Sequence, residues 1–383
     1  MNKDKVVDTN ITFPGLYIHI PFCLSKCHYC NFYSETSLQH LSSYIQALER
    51  EMSHYDQRFR KFDTVYFGGG TPSILKADQI EDILRSIKDY FYLSDKSEIT
   101  IETNPGDLNP DFLRSLRQIG INRVNIGVQA FDDDILDFLG RRHSSRDALH
   151  AIETTYDEGF TNRGIDLIYG IPGQNMKEWM HTLVRAISFA PEHISCYQLT
   201  LEAGTALGKQ LGNKEITFPD EDLQYDFFIK TSERLEDAGY IHYEISNFAR
   251  EDRFISRHNS KYWNHTPYLG LGPSAHSFSG RTRWWNHSST DRYLHDIRGG
   301  TPPRENTESL DMKSLRMEAL FLGLRTAKGI NLQDFKDRFD YDLLFEKGDM
   351  FAKLEESGLI QIADGFVVPT RRGFALADSL ALI

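Results

Sequence analysis

The sequence predicts an α/β fold built around a parallel sheet, and two observations carry that prediction. Between residues 15 and 200, short β-branched or aromatic runs alternate about six times with longer amphipathic stretches. Six β/α units in a row call for parallel strands. The 383 residues are 40% hydrophobic and 26% charged, enough apolar material for a real core, which excludes a disordered chain. Periodicity alone does not choose between an open doubly wound sheet and a complete or partial barrel.

The strand runs are Leu16–Ile20, Thr64–Phe67, Glu98–Ile101, Arg123–Ile126, Gly164–Ile168 and His193–Tyr197, each bounded by turn residues. Helices fill the gaps. Tyr44, Ile45, Leu48 and Met52 recur at helical spacing over 41–55, and Ile80, Ile83, Leu84 and Ile87 over 77–90. Asn109-Pro110 reads as an N-cap with proline at the first helical position of 110–119. Trp179, Leu183, Ala186 and Ile187 mark a helix over 175–189.

Beyond residue 200 the pattern changes. A long helix is expected at about 220–238, then a Gly-, His-, Trp- and Tyr-rich segment from 256 to 287, in which His258-Asn259 reads as loop and Trp284-Trp285 as the head of a helix. From about 308 come helical patterns, then Asp364-Gly365 as a hairpin turn before Phe366-Val367-Val368, and a last helix after Arg371-Arg372-Gly373. Helices followed by a hairpin suggest a winged-helix-like module. Such modules often bind DNA, but 43 Lys and Arg against 55 Asp and Glu leave a net charge of −12 and no basic run. Packing on the rest of the chain, or on a partner protein, is the expectation instead, with no nucleic-acid partner.

No apolar run approaches the roughly 20 residues that span a bilayer, so the protein is not expected to be integral to a membrane. The start, Met1-Asn2-Lys3-Asp4-Lys5, is charged and no apolar signal segment follows. A cytoplasmic location is expected. Four cysteines make no disulfide scaffold.

Three of those four, Cys23, Cys27 and Cys30, form C-x3-C-x2-C immediately after the first strand. Three thiolates at this spacing wrap one compact iron–sulfur cluster and leave one iron open to an exogenous molecule. The alternatives are a Cys3His zinc site using His28 and a chance group of buried thiols. Cys196 reads as a buried small hydrophobe on the sixth strand.

With YIHIPFC at 17–23, FGGGTPS at 67–73, IETNPG at 101–106, NIGVQAFDD at 125–133 and GIDLIYGIPGQ at 164–174, the chain resembles radical S-adenosylmethionine proteins. More narrowly, it resembles the oxygen-independent coproporphyrinogen III oxidase family over nearly its full length. The resemblance implies a partial (β/α)6 barrel over 1–200, a barrel extension over 201–305 and a mainly helical, winged-helix-like domain over 306–383. It implies a [4Fe-4S] cluster on Cys23, Cys27 and Cys30 and S-adenosylmethionine on the open iron. Gly69, Gly70 and Thr71 would then meet the methionyl amine and carboxylate. Tyr17, Tyr29, Glu102, Gln129, Arg141 and Asp166 would complete that site, with adjacent Arg142 as a substitute for Arg141. Most of these residues fall at carboxyl ends of strands, where parallel barrels do their chemistry.

The family has two branches. In the decarboxylating branch the motif continues with a cysteine two residues after the third; here that position is Phe32, and the segment before Cys23 is short. The HemW-type haem chaperone branch carries H-N-x-x-Y-W, present here as His258-Asn259-Ser260-Lys261-Tyr262-Trp263. The resemblance implies a protein that binds haem and passes it to an apo-acceptor such as a membrane respiratory enzyme. His258 would be the iron ligand, with His276 next in line. His19 and His28 lie too close to the cluster. Tyr262 and Trp263 would offer flat surface to the porphyrin, and Trp284-Trp285 would line the same cavity or anchor the second domain. Arg257, Lys261, Arg281 and Arg283 are candidates for its propionates. The competing expectation is a radical enzyme acting on coproporphyrinogen III or another tetrapyrrole.

Overall fold

Six parallel strands lie side by side in chain order: β1 (Gly15–Ile20), β2 (Lys61–Gly69), β3 (Tyr92–Thr103), β4 (Arg123–Gln129), β5 (Arg163–Tyr169) and β6 (His193–Gln198). The computed structural model describes residues 13–380, so the charged start at Met1–Lys5 lies outside the described residues. Helices Leu41–Met52, Ala77–Tyr90, Pro110–Ile119, Ser145–Asp157 and Met176–Ser188 are the crossovers. Their starts are chemically marked. The Asn109 side chain accepts from the Phe112 amide at 3.0 Å, and Ser144 forms a reciprocal capping box with Asp147.

Side-chain parity explains how the sheet holds both a core and a site. Successive residues on a strand face opposite sides. Leu16, Ile18, Val65, Phe67, Ile99, Ile101, Val124, Ile126, Ile165 and Leu167 take the helix side and form the main hydrophobic core. The opposite parity holds Tyr17, His19, Tyr66, Thr100, Glu102, Asn125, Asp166, Ser195 and Tyr197, which face the concave side. The inside of this partial (β/α)6 barrel is therefore polar and aromatic.

The sheet continues past both ends to twelve strands. Beyond β6 lie β7 (Ile241–Glu244) and β8 (Asn247–Ala249), antiparallel. On the other side β9 (Tyr268–Leu271) pairs parallel with β1. It is followed by β10 (His276–Ser279), β11 (Thr282–Asn286) and β12 (Arg304–Ser309), all antiparallel.

Two local expectations change here. His258-Asn259 lies on a helix, Arg257–Trp263, whose start is capped by Ser256. Trp284-Trp285 lies within β11 rather than at a helix head, because alternation sends the two rings to opposite faces. Trp284 is fully buried, stacks on Tyr55 at 6.2 Å and anchors the flank. Trp285 stacks on His276 at 5.6 Å.

The C-terminal region has a second core around Leu320, Phe335, Phe351 and Val367. Helices Met312–Gly323, Leu332–Phe339 and Leu343–Glu356 precede the hairpin β14 (Ile360–Ala363) and β15 (Phe366–Pro369), which β13 (Ile330–Asn331) extends to three strands. Asp364 and Gly365 both take positive φ, as a tight hairpin turn requires. The module packs on the rest of the chain, with Phe374 against His242 at 5.0 Å and Arg371 bonded to Ser232 and Glu236. Among the described residues no helix is long and apolar enough to cross a membrane.

Candidate functional site

The cysteine loop leaves β1 at the carboxyl end of the barrel and is tied down at several points. The Cys23 amide bonds to the Glu35 carbonyl at 2.9 Å. His28 is fixed by its amide to Leu139 O and by its ring Nδ1 to Phe138 O at 2.9 Å. That bond holds the His28 ring against Gly140, outside the thiol chamber, and away from a zinc-ligand role. Among the described residues no group of His, Cys, Asp and Glu is arranged to hold a single metal ion. A four-iron cluster asks for a wider spread of thiolates than one tetrahedral ion does.

Cys23, Cys27 and Cys30 line a chamber of about 570 Å³ together with Gly69, Gly70, Thr71, Tyr29, Glu102, Gln129, Arg141 and Asp166. Thr71 Oγ1 donates to Cys23 Sγ at 3.4 Å, and Arg141 Nη1 to Cys27 Sγ at 3.3 Å. Burial pushes the Cys30 thiol up, and the two other thiols add to it. Donors aimed at sulfur are what a thiolate needs.

The glycines are explained by close approach. A Cβ on Gly70 would stand 2.6 Å from Phe22 O and 3.0 Å from Cys23 Sγ. Gly69 has φ of +107°, a conformation that L side chains rarely adopt. The strand end is thereby strapped to the base of the cysteine loop, with Gly70 N bonded to Ile20 O and Thr71 N to Phe22 O, both at 2.8 Å. Gln129, which ends β4, also has positive φ (66°). For a non-glycine residue this costs on the order of 1–3 kcal/mol, and such positions cluster at ligand sites.

The chamber also gathers buried charged groups of both signs. Glu102 accepts from Tyr66 OH at 2.7 Å; burial, with Asp166 contributing, lifts its pKa to about 7. Burial lifts Asp166 to about 6, although Asn125 Nδ2 donates to its Oδ2 at 2.5 Å. Asp166 Oδ1 and Arg141 Nε are buried without a partner. Arg141 Nη2 donates to Gly127 O at 2.9 Å, whereas Arg142 is drawn off into an ion pair with Asp107. A thiol triad, a glycine cradle and unsatisfied groups of both signs fit a cluster with an amino-acid ligand on it.

A second chamber of about 750 Å³ adjoins the first and shares Asn31, Phe32, Gly69, Glu102 and Tyr197 with it. Its walls are aromatic: Tyr17, Tyr66, Tyr262, Trp263 and Tyr268, with His19 and His276. Tyr17, expected beside S-adenosylmethionine, therefore faces the second chamber. Its hydroxyl bonds to His19 Nδ1 at 3.1 Å.

His258 does not line the chamber. It is 1% exposed, its Nδ1 meets Thr64 Oγ1 and its Nε2 meets Tyr262 OH, both at 2.9 Å. The helical i,i+4 spacing puts its ring behind Tyr262. Burial lowers its pKa to about 3. The four cations expected at the propionates also point elsewhere. Arg257 and Lys261 bind Asp63, Arg281 donates to Leu310 O, and Arg283 pairs with Glu318. Among the described residues, the Lys or Arg side chain that lines the chamber is Arg325, paired with Asp378 of the last short helix.

Motif spacing did not single out Tyr66, Tyr197, Asn125 or Arg325. Strand parity marks the first three, since they share the face of Glu102 and Asp166. Arg325 follows a helix far along the chain and has no local signal.

Residues 17–186 match the Radical SAM superfamily model, and 310–376 match the HemN C-terminal domain. The chain is 33% identical over 368 residues to "Heme chaperone HemW" of Bacillus subtilis (strain 168), covering 95% of this chain and 97% of that protein. It is 35% identical over 375 residues to the protein of the same name from Mycobacterium tuberculosis (strain ATCC 25618 / H37Rv), covering 96% and 93%. A mitochondrial Bos taurus protein, "Radical S-adenosyl methionine domain-containing protein 1", is 33% identical, with 96% and 86% covered. The solved structure of coproporphyrinogen III oxidase (HemN) from Escherichia coli superposes with a TM-score of 0.83 over 97% of this chain and 90% of that one. At 23% identity that likeness shows the fold.

Proposed function

Because this chain belongs to the HemW haem chaperone family, within the radical SAM superfamily, we propose that it binds haem and delivers it to an apo-acceptor protein in the cytoplasm or at the membrane surface. The observation that carries this reading is the pair of adjoining chambers, one lined by thiols and the other by aromatic rings. Cys23, Cys27 and Cys30 hold a [4Fe-4S] cluster. When bound, the cluster supplies an open iron and an electron for S-adenosylmethionine. Gly69, Gly70 and Thr71 receive the methionyl end, Glu102 and Asp166 face its positive charges, and Arg141 faces its carboxylate. Tyr29 closes the side of the adenine.

The second chamber takes the haem. Its volume falls in the ordinary range for a cofactor site, and Tyr262, Trp263 and Tyr268 present flat apolar surface. Arg325 is mostly buried, and its carboxylate partner Asp378 is almost fully exposed. A propionate displacing Asp378 keeps the guanidinium paired. The acceptor we envisage is a haem protein of the respiratory membrane.

The rival is oxidative decarboxylation of coproporphyrinogen III. Phe32, where that branch has cysteine, stands 67% exposed between the two chambers and offers no thiol. The test is anaerobic incubation of the cluster-loaded protein with S-adenosylmethionine, a reductant and each tetrapyrrole in turn. We expect haem to be bound with its mass unchanged and coproporphyrinogen III to be recovered intact. A product lighter by one carbon dioxide and two hydrogens per propionate would replace the carrier reading with the enzymatic one.

A further inference from the structure

An iron ligand has to offer a nitrogen lone pair along an open direction. Among the imidazoles beside the aromatic chamber, two are already committed. His19 places Nδ1 on Tyr17 OH and Nε2 on the Tyr33 carbonyl at 2.9 Å. His258 has both nitrogens bonded and lies behind Tyr262. Freeing either ring nitrogen of His258 would strand a buried hydroxyl, Thr64 or Tyr262, at a cost of about 1–3 kcal/mol. Tyr262 would also have to leave its place against Tyr268, where the rings meet edge to face at 4.7 Å.

His276 differs on every count. It opens β10, lines the chamber and is exposed to it. Neither ring nitrogen has a hydrogen-bond partner among the described residues. The ring is nevertheless held in place, stacked on Trp285 with 20° between the planes. The antiparallel pairing of His276 with Trp285 across β10 and β11 fixes that stack to the sheet. Burial, and then Arg283, lowers the His276 pKa, which favours the neutral imidazole that binds metals.

Resting on the haem-carrying reading, we infer that His276 is the axial ligand of the haem iron and that His258 is a positioning residue that holds Tyr262 against the porphyrin. The H-N-x-x-Y-W segment then shapes the wall, and the ligand comes from the strand that follows it. Haem enters over Trp263 and Tyr268 and meets an imidazole already oriented by Trp285. Little ordering is needed on binding, which favours affinity.

The experiment uses the full chain, loaded with its cluster without oxygen and titrated with ferric haem. It reads the Soret band by difference and the ligand field by electron paramagnetic resonance. We expect His276→Ala to weaken binding at least about tenfold and to change the ligand field, with added imidazole restoring the wild-type spectrum. His276→Cys should move the Soret band to that of thiolate-ligated haem, a gained signature that misfolding does not mimic. His258→Ala should keep the wild-type ligand field. Unchanged spectra in both His276 variants would overturn the assignment, and a ligand field lost only in His258→Ala would place the ligand there, leaving the carrier reading intact. A wild type with no haem band would sink the carrier reading and this assignment together.

Discussion

Glu102 and Asp166 are carboxyl groups that the fold keeps reluctant to ionise. Burial lifts them to about 7 and about 6 from ordinary values of 4.5 and 3.8. A raised carboxyl pKa means the folded chain holds these protons more tightly than the unfolded chain. Their contribution to stability is therefore largest in acid and falls as pH rises through about 4 to 7. A bound sulfonium and ammonium reverse the balance by favouring the ionised forms. We expect S-adenosylmethionine to bind the cluster-loaded protein several-fold, up to about tenfold, more tightly at about pH 8 than at about pH 6. Calorimetry in buffers of different ionisation enthalpy should also register proton release. Glu102→Gln should weaken binding and flatten the profile; an unaltered profile would mean that Glu102 does not face the cofactor's charge. At this scale much was legible. Glu102, Gln129, Arg141 and Asp166 were marked by motif, and all line the thiol chamber. His258 was marked by motif as well, but whether an imidazole is free depends on partners brought from β2 and from its own helix turn. Adjacent letters do not show that.

Single elements are held by features that the sequence displays only in part. The helix Met176–Ser188 was visible from its apolar spacing, and the reason for a tryptophan in it emerges from packing. Trp179 is fully buried, its Nε1 donates to Thr231 Oγ1 at 2.7 Å, and its ring lies 5.3 Å from Tyr169. It joins that helix to Glu221–Asp237. Trp179→Ala should lower unfolding stability by about 3–5 kcal/mol, read from urea denaturation. A loss below about 1 kcal/mol would contradict the packing described. The turn after β2 is the opposite case, where stability is secondary to approach. A methyl at Gly70 meets the Phe22 carbonyl and the Cys23 sulfur. Gly70→Ala should leave the circular dichroism spectrum unaltered and cut bound iron and sulfide to well under half. Full cluster content in that variant would mean that the strap at the loop base is not needed. The strand β11 carries no helical or strand signal of its own in the sequence, because adjacent tryptophans have no period. Only the pairing with β10 and β12 shows that one ring faces the core and the other His276.

The whole molecule is legible as repeated β/α units, because each unit declares itself within a few tens of residues. Its closure is not. The flanking strands β7 to β12 are short, and β9 joins β1 across more than two hundred residues of chain. Such pairing is set by the register of the finished sheet and leaves little mark on local periodicity. That same flank builds the second chamber, so the aromatic pocket beside the three thiols depends on long-range strand pairing rather than on local sequence. The two chambers share Glu102, Tyr197 and Phe32 but have separate far walls. Both ligands are therefore expected to be accommodated at once. Native mass spectrometry of the cluster-loaded protein, with S-adenosylmethionine and haem each in modest excess, tests this most directly. The expected species is one chain carrying one cluster, one S-adenosylmethionine and one haem together. Haem displacing S-adenosylmethionine mole for mole would contradict it, because the two would then compete for a single site.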